Sequence, residues 1–304
     1  MAAKPGLDDA TKAKLLLVLL SLCWGLSWPA QRIALYELTP WTVRGLGFSI
    51  GAVCLFALAK LQGSRLAVPR RRDWLHIGIA SLFNVVAFGL FSTFAQLDAT
   101  TSRVIIVNYS MPIWASLMAW LVLRERLNTS ATIGLVLCVA GLTVLVYPVA
   151  AVRTPVGLWL ALGCALSWAA GTVYMKWAQI KGDLLVITAW QIAIGAVVLI
   201  VGSVIFQGWP TIEPLRLETW LALVFTGFLG TGLGYFLWFH IIGKLPTATA
   251  SLGSLANPVV GIIGSALLLG ERPTAADIIG FALIFAAAAC VLVQWRTRAA
   301  TGAA

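Results

Sequence analysis

An all-α integral membrane protein of ten transmembrane helices, arranged as two inverted five-helix repeats around a central cavity, is the fold class this sequence predicts. Three observations lead to it. The chain is 60% hydrophobic and only 11% charged over 304 residues, whereas soluble domains carry about a quarter charged residues. Apolar stretches of the roughly 20 residues needed to cross a hydrocarbon layer fill nearly its whole length. The second half also repeats polar and proline landmarks of the first.

The expected spans are 15–36, 41–60, 74–96, 103–123, 131–148, 156–177, 184–206, 219–242, 249–270 and 275–295. The first follows Lys4, Lys12 and Lys14. It is longer than the apolar core of a signal peptide and holds Trp24, Trp28 and Pro29 in its later part, so it reads as a retained helix. Turn and interface residues mark the seams that follow: Thr39-Pro40-Trp41, Gly63 to Asp73, Arg124 to Asn128, Pro148 to Pro155, Gly182-Asp183, Gly208 to Pro214, Leu245-Pro246 and Arg272-Pro273.

Loop charge tests this partition. With the N-terminus cytoplasmic and sides alternating, one side collects fifteen cations: Lys4, Lys12, Lys14, Lys60, Arg65, Arg70, Arg71, Arg72, Arg124, Arg126, Lys176, Lys181, Lys244, Arg296 and Arg298. The other keeps six: Arg32, Arg44, Arg103, Arg153, Arg216 and Arg272. That bias follows the positive-inside rule with both termini cytoplasmic. The net charge of +10 therefore reads as orientation and contact with anionic lipid, and no nucleic-acid partner is expected. All five cysteines lie in apolar segments without CxxC spacing, so neither a disulfide nor a metal site is expected, and no cofactor.

A shift of 146 residues lays Pro112 on Pro258, Leu123 on Leu269, Glu125-Arg126 on Glu271-Arg272 and Ile133-Gly134 on Ile279-Gly280. A shift of 144 lays Leu22 and Trp24 on Leu166 and Trp168. Apolar matches arise by chance, but a proline followed after 13 residues by Glu-Arg, twice, is much rarer. The two units are 14–148 and 155–295, with five spans each. Five is odd, so the second unit enters the membrane from the opposite side. Inverted repeats of this kind are common in secondary transporters, which bind substrate near the midplane between the halves.

A Trp in the first helix of each half, the stretches Val107-Asn108-Tyr109-Ser110-Met111-Pro112 and Gly253-Ser254 before Pro258, Trp168-Ala169-Ala170, and the closing Glu-Arg together resemble the ten-helix exporters of the drug/metabolite transporter superfamily. The repeated unit is similar to the EamA domain, present twice, and among such exporters the bacterial aromatic amino acid type is closest. The resemblance implies alternating access, a small-molecule substrate such as an amino acid or related metabolite, and a bacterial inner membrane location as a monomer or weak homodimer. It also implies a cavity lined by the first, third, fourth, sixth, eighth and ninth helices, with the fifth and tenth outside. An alternative on the same fold is a carrier of phosphorylated sugars. That would need cavity cations, and Arg44, Arg103 and Lys176 sit near span ends.

Candidate substrate-binding residues follow from chemistry that is out of place in hydrocarbon. Proline cannot donate to the carbonyl four residues earlier, so Pro112 frees that of Asn108, Pro258 that of Ser254 and Pro29 that of Gly25. Asn108 and Ser254 are repeat-related and could form a polar floor for a zwitterion; the plainer alternative is a proline kink. Trp24, Trp168 and Tyr109 could stack on an apolar side chain or attract an ammonium group, or could be ordinary packing. Asn84, Phe88, Thr172, Tyr235 and Asn257 complete the set. Gly230-x-x-x-Gly234 and Gly47-x-x-x-Gly51 read as close helix packing rather than phosphate loops. The eleven carboxylates fall in loops or near span ends and His76 and His240 near the ends of theirs. A proton-coupled site normally has a carboxylate inside the membrane, so gradient-driven facilitated transport is expected rather than obligate proton coupling. No constellation of nucleophile, base and acid points to an enzyme.

Overall fold

The protein is described here from a computed structural model covering residues 9–125, 129–152, 155–208, 214–242 and 255–301. Its helices follow in chain order as α1 (Asp9–Ala34), α2 (Pro40–Leu61), α3 (Arg71–Asp98), α4 (Thr101–Leu123), α5 (Thr129–Ala150), α6 (Val156–Ala178), α7 (Leu184–Gln207), α8 (Leu217–Ile241), α9 (Ala256–Leu269) and α10 (Ala275–Thr301). Eight are long and apolar enough to cross a membrane, and α9 and α10 contribute two shorter apolar stretches. Residues 249–254, expected to begin the ninth span, lie outside the described residues.

Local chemistry sets the helix starts. Thr39 accepts from the Thr42 N–H with Pro40 at the first position of α2, and Asp183 accepts from the Leu185 N–H at the start of α7. The start of α4 is capped from a distance. The Glu271 carboxylate, in the turn between α9 and α10, accepts from the backbone N–H groups of Thr101 (2.6 Å) and Ser102 (2.9 Å) and from the Ser102 hydroxyl (2.6 Å).

Three helices are irregular near their middles. Within α3 and α8 the backbone widens to π-helix over Leu82–Ala87 and Phe225–Leu233. These are the third helices of the two halves. The fourth is interrupted: α4 runs as Thr101–Asn108, turns through Tyr109 and Ser110, and resumes as Met111–Leu123 with Pro112 in its first turn. Beside a polar floor at the freed Asn108 carbonyl, the sequence offered a kink at Pro112 as the plainer alternative. The chain instead makes two half-helices, because a proline in a first turn lacks only a donor that would be unused there.

Packing shows the repeat directly. α1 packs on α8 and α9, and α6 packs on α3 and α4. α2 packs on α7, and α5 on α10. Exchanging each helix with the one five later returns the same set of pairs. The two Glu-Arg landmarks fall at opposite ends of one helix: Glu271 caps the start of α4, and Glu125 follows its end and pairs with Lys176 at 2.5 Å. The repeats are therefore inverted. The expectation that the fifth and tenth helices pack away from the centre takes the form of an α5–α10 pair, whose α5 has only 22% of its span buried.

Glycines permit the closest crossings. A Cβ at Gly227 would lie 2.6 Å from that of Ile50 and 2.8 Å from the Gly47 carbonyl, and one at Gly51 would overlap Thr231. At the α5–α10 pair, a Cβ at Gly280 would lie 2.6 Å from Leu145 Cγ. Replacing Gly280 by Val should destabilise the protein by about 1–3 kcal/mol through overpacking. The same change at Gly78, where nothing lies within 4 Å, should cost far less. Thermal unfolding of both variants in detergent measures the contrast.

Candidate functional site

The two halves meet in the middle through their first helices, and the expected site residues gather at those crossings. In the first, Trp24 of α1 lies edge-on to Tyr235 of α8 at 5.9 Å between ring centroids and against Trp238 at 5.7 Å. Its indole N–H donates to the Gly230 carbonyl at 3.1 Å, inside the π-helical stretch. In the second, Trp168 of α6 meets Phe88 of α3 at 4.9 Å, and Phe88 also meets Trp28 of α1 at 6.4 Å. Here the π-helical carbonyl of Phe83 is served by the Ser167 hydroxyl at 2.6 Å. Each tryptophan thus faces an aromatic ring on the third helix of the opposite half. The indole N–H of Trp168 donates to none of the described residues.

The crossings are complementary in a second way. Ser27 sits where a Cβ on Gly230 would be, and Asn84 sits where a Cβ on Gly171 would be. The shifts of 144 and 146 make Ser27 equivalent to Gly171 and Asn84 equivalent to Gly230. A glycine therefore faces a polar side chain at both crossings, with the roles reversed.

The asparagines are buried and incompletely satisfied. Asn108, at the end of the first half of α4, and Asn257, at the start of α9, are each 2% exposed. The side-chain carbonyl oxygens of Asn84, Asn108 and Asn257 have no hydrogen-bond partner among the described residues. Tyr109, in the turn of α4, places its hydroxyl beside Asn257. Thr172 sits on an exposed face of α6 and returns its hydroxyl to the Trp168 carbonyl at 2.8 Å. Ser254 lies outside the described residues. The Gly25 carbonyl freed by Pro29 lies 3.2 Å from where a Cβ on Gly261 would stand, so α1 and α9 touch there.

Sequence reading passed over one neighbouring feature. Arg44 was expected near the end of its span, but its side chain turns inward. Its Nε donates to the Gly89 carbonyl at 3.2 Å and its Nη2 to the Ser92 hydroxyl. Those residues lie about 14 and 9 Å from the end of α3, at 1.5 Å per residue. The guanidinium stands 5.3 Å from the Phe48 ring centroid and 5.8 Å from that of Phe88. It is near enough to Cys164 and Tyr235 to interact with both electrostatically. Arg44 also lines a narrow crevice between α1, α2 and α8, with a void of about 10 Å³, together with Gln31, Val43, Gly47, Phe48, Thr226 and Thr231. The available signal was a Gln and an Arg inside otherwise apolar runs.

The ends of the bundle carry the carboxylates. Arg103 pairs with Asp277 at 2.5 Å, and Arg70 with Asp73 at 3.1 Å. Glu37 pairs with Arg216 at 2.7 Å. The Thr219 hydroxyl first, and then Arg216, hold the Glu37 carboxyl below the usual carboxylate range. His76 is engaged by the Tyr174 hydroxyl at 2.7 Å. No group of three or more His, Cys, Asp or Glu suited to a metal occurs among the described residues.

Comparison with known proteins follows this geometry. The sequence profile of the EamA-like transporter family matches twice, over residues 11–147 and 155–293. An uncharacterized transporter of Bacillus subtilis, YoaV, is 28% identical over 90% of this chain and 94% of its own. A probable amino-acid metabolite efflux pump of Escherichia coli is 26% identical over 90% of this chain and 92% of its own. One crystal structure superposes with a TM-score of 0.63 at 25% identity, covering 93% of this chain and 98% of the other.

The two tryptophans should respond differently to loss of the indole N–H. Trp24→Phe keeps a ring but removes the indole donor to the Gly230 carbonyl, which should cost about 0.5–1.5 kcal/mol. Trp168→Phe removes a donor that bonds no described residue and should cost less. Thermal unfolding of the two purified variants checks the order.

Proposed function

The chain belongs to the EamA-like transporter family, a multi-pass membrane protein, and from that premise we propose that it exports amino acids, aromatic and other neutral ones, by alternating access between its two repeats, residues 14–148 and 155–295. The observation that carries this reading is the company kept by the three unsatisfied asparagine oxygens. Asn84, Asn108 and Asn257 offer acceptors for an ammonium group, within a bundle centre where Trp24–Tyr235 and Trp168–Phe88 offer aromatic faces. Polar acceptors without partners are costly in a buried setting, and a zwitterion with an aromatic side chain matches both chemistries. The broken α4 supports the same reading, since interrupted helices in transporters supply half-helix termini to a midplane site. The efflux-pump name of the Escherichia coli relative agrees with the substrate class.

Facilitated transport is proposed over obligate proton antiport. Among the described residues, the carboxylates of Glu37, Asp73, Asp98, Glu125, Asp183, Glu218, Glu271 and Asp277 sit at helix ends or in turns. A proton site inside the bundle would need an ionisable group at depth. The membrane proposed is the bacterial inner membrane, with both termini cytoplasmic. A cysteine placed at Glu125, in a background without other cysteines, should then react with a membrane-impermeant thiol reagent only from the cytoplasmic side; reaction from outside overturns that orientation.

Purified protein in liposomes should carry phenylalanine, tryptophan, methionine or threonine in preference to a phosphorylated sugar, and with no strict need for a pH gradient. Trp168→Ala, Tyr109→Ala and Ser254→Ala should each lower the rate by about tenfold or more while the protein still inserts. Preference for the phosphorylated sugar, or unchanged rates in all three variants, overturns the reading.

A further inference from the structure

The crevice between α1, α2 and α8 holds a charge for which the described residues give no counter-ion. Arg44 forms no ion pair there, and its nearest polar partners are the Gly89 carbonyl and the Ser92 hydroxyl. A cation inside a membrane bundle is expensive and marks a site when nothing in the protein neutralises it. Guanidinium has five N–H donors in a flat fork suited to a carboxylate. Two of its nitrogens serve α3, and Nη1 donates to none of the described residues. Across the same crevice, the side-chain amide nitrogen of Gln31 is buried, with the residue 3% exposed, and donates to none of the described residues. A cation and an orphan N–H facing one space both call for an acceptor, and the acceptor that suits both is an anion.

The charge of that space narrows the anion. The void left between these side chains is about 10 Å³, room for about one water, so a carboxylate enters it only as the surrounding helices part. Arg44 carries the single charge among the residues lining it. One cation balances a monoanion such as a carboxylate, whereas a phosphate monoester, with close to two negative charges, would call for more. The remainder of the molecule has a direction too, because Phe88 touches both the guanidinium and Trp168.

We propose that Arg44, with Gln31, is the carboxylate anchor of the transported molecule, holding its anionic end in this crevice while its apolar part reaches the Phe88–Trp168 pair. The identity of the rest of the molecule rests on the amino acid reading above, but the anchor does not. Arg44 is also a tether between α2 and α3, so the test must separate recognition from packing.

Two probe pairs do so: L-phenylalanine against L-phenylalaninamide, and phenylacetate against phenylacetamide. In each, the carboxylate is exchanged for an amide of nearly the same shape. Binding to the purified protein is read by its intrinsic tryptophan fluorescence, and transport of the first pair is read in liposomes. The wild-type protein should favour the carboxylate by about tenfold or more in at least one pair, which corresponds to about 1.4 kcal/mol. Arg44→Gln should bring that ratio near one by weakening the carboxylate and sparing the amide, and Arg44→Lys should keep part of the preference. Equal loss of both members in Arg44→Gln means packing only and overturns the anchor. If Arg44→Gln does not fold, the wild-type ratio and Arg44→Lys still decide. No preference in either pair, including no binding of any probe, also overturns it. An Arg44-dependent preference confined to phenylacetate, with no phenylalanine transport, keeps the anchor and removes the amino acid reading.

Discussion

Hydrocarbon supplies no hydrogen bonds, so a chain crossing it must serve every backbone carbonyl from within the protein. The departures from α-helix in this structure are arranged around that constraint. In the π-helical stretch of α3 the Phe83 carbonyl accepts from the Phe88 N–H and also from Ser167 of α6, and in that of α8 the Gly230 carbonyl accepts from Trp24 of α1. Just beyond the first stretch, the Gly89 carbonyl takes the Arg44 N–H from α2. In two of these three cases the donor comes from the other half of the molecule. The irregular backbone therefore lies at the contact between the halves, each π-helical stretch taking a side-chain donor from the opposite half.

This dependence also explains how two copies of one unit can diverge without parting. At both central crossings a small residue is needed so that the helices approach, and a polar side chain fills what the small residue vacates. The first half supplies the polar member as Ser27 at one crossing and Asn84 at the other, against Gly230 and Gly171. Complementarity constrains the pair and not the position, so the two halves share a packing plan while presenting different groups to the centre. The result is an asymmetric lining built on a symmetric frame.

Much of the fold was legible because hydrocarbon imposes strong rules on composition. The span positions, the alternation of loop charge and the repeated Pro and Glu-Arg landmarks all express requirements of length or surface. The contacts Trp24–Tyr235 and Trp168–Phe88 join residues the sequence marked as aromatic and mid-span, away from the membrane interface. Other features were not legible, for identifiable reasons. Phe-Asn-Val-Val-Ala and the glycine-rich run in α8 are compatible with an ordinary helix, and the donors that meet their π-helical carbonyls sit on distant helices. Pro112 signals a disturbance but not whether the helix bends or stops. Glu271 caps α4 from a position 170 residues away in the chain. Arg44 was misjudged because its Cα sits one turn into α2 while its long side chain carries the charge inward; depth along the backbone is a poor guide to where such a group acts.

A bundle that keeps polar groups unpaired at its centre gives up stability to do so. Each unsatisfied buried group costs about 1–3 kcal/mol, and Gln31, Asn84, Asn108 and Asn257 all carry such an atom, with Arg44 adding an unneutralised charge. A protein whose task was only to hold its helices together would lose nothing by replacing them with leucine. Their retention makes sense if a ligand supplies the missing acceptors and donors for part of each cycle. Such a site gains binding energy from groups already in place, without building new contacts, and releases its ligand when water reaches the same groups. The pairs α2–α7 and α5–α10, closed by glycine contacts, can then hold the halves together while the groups between them exchange partners.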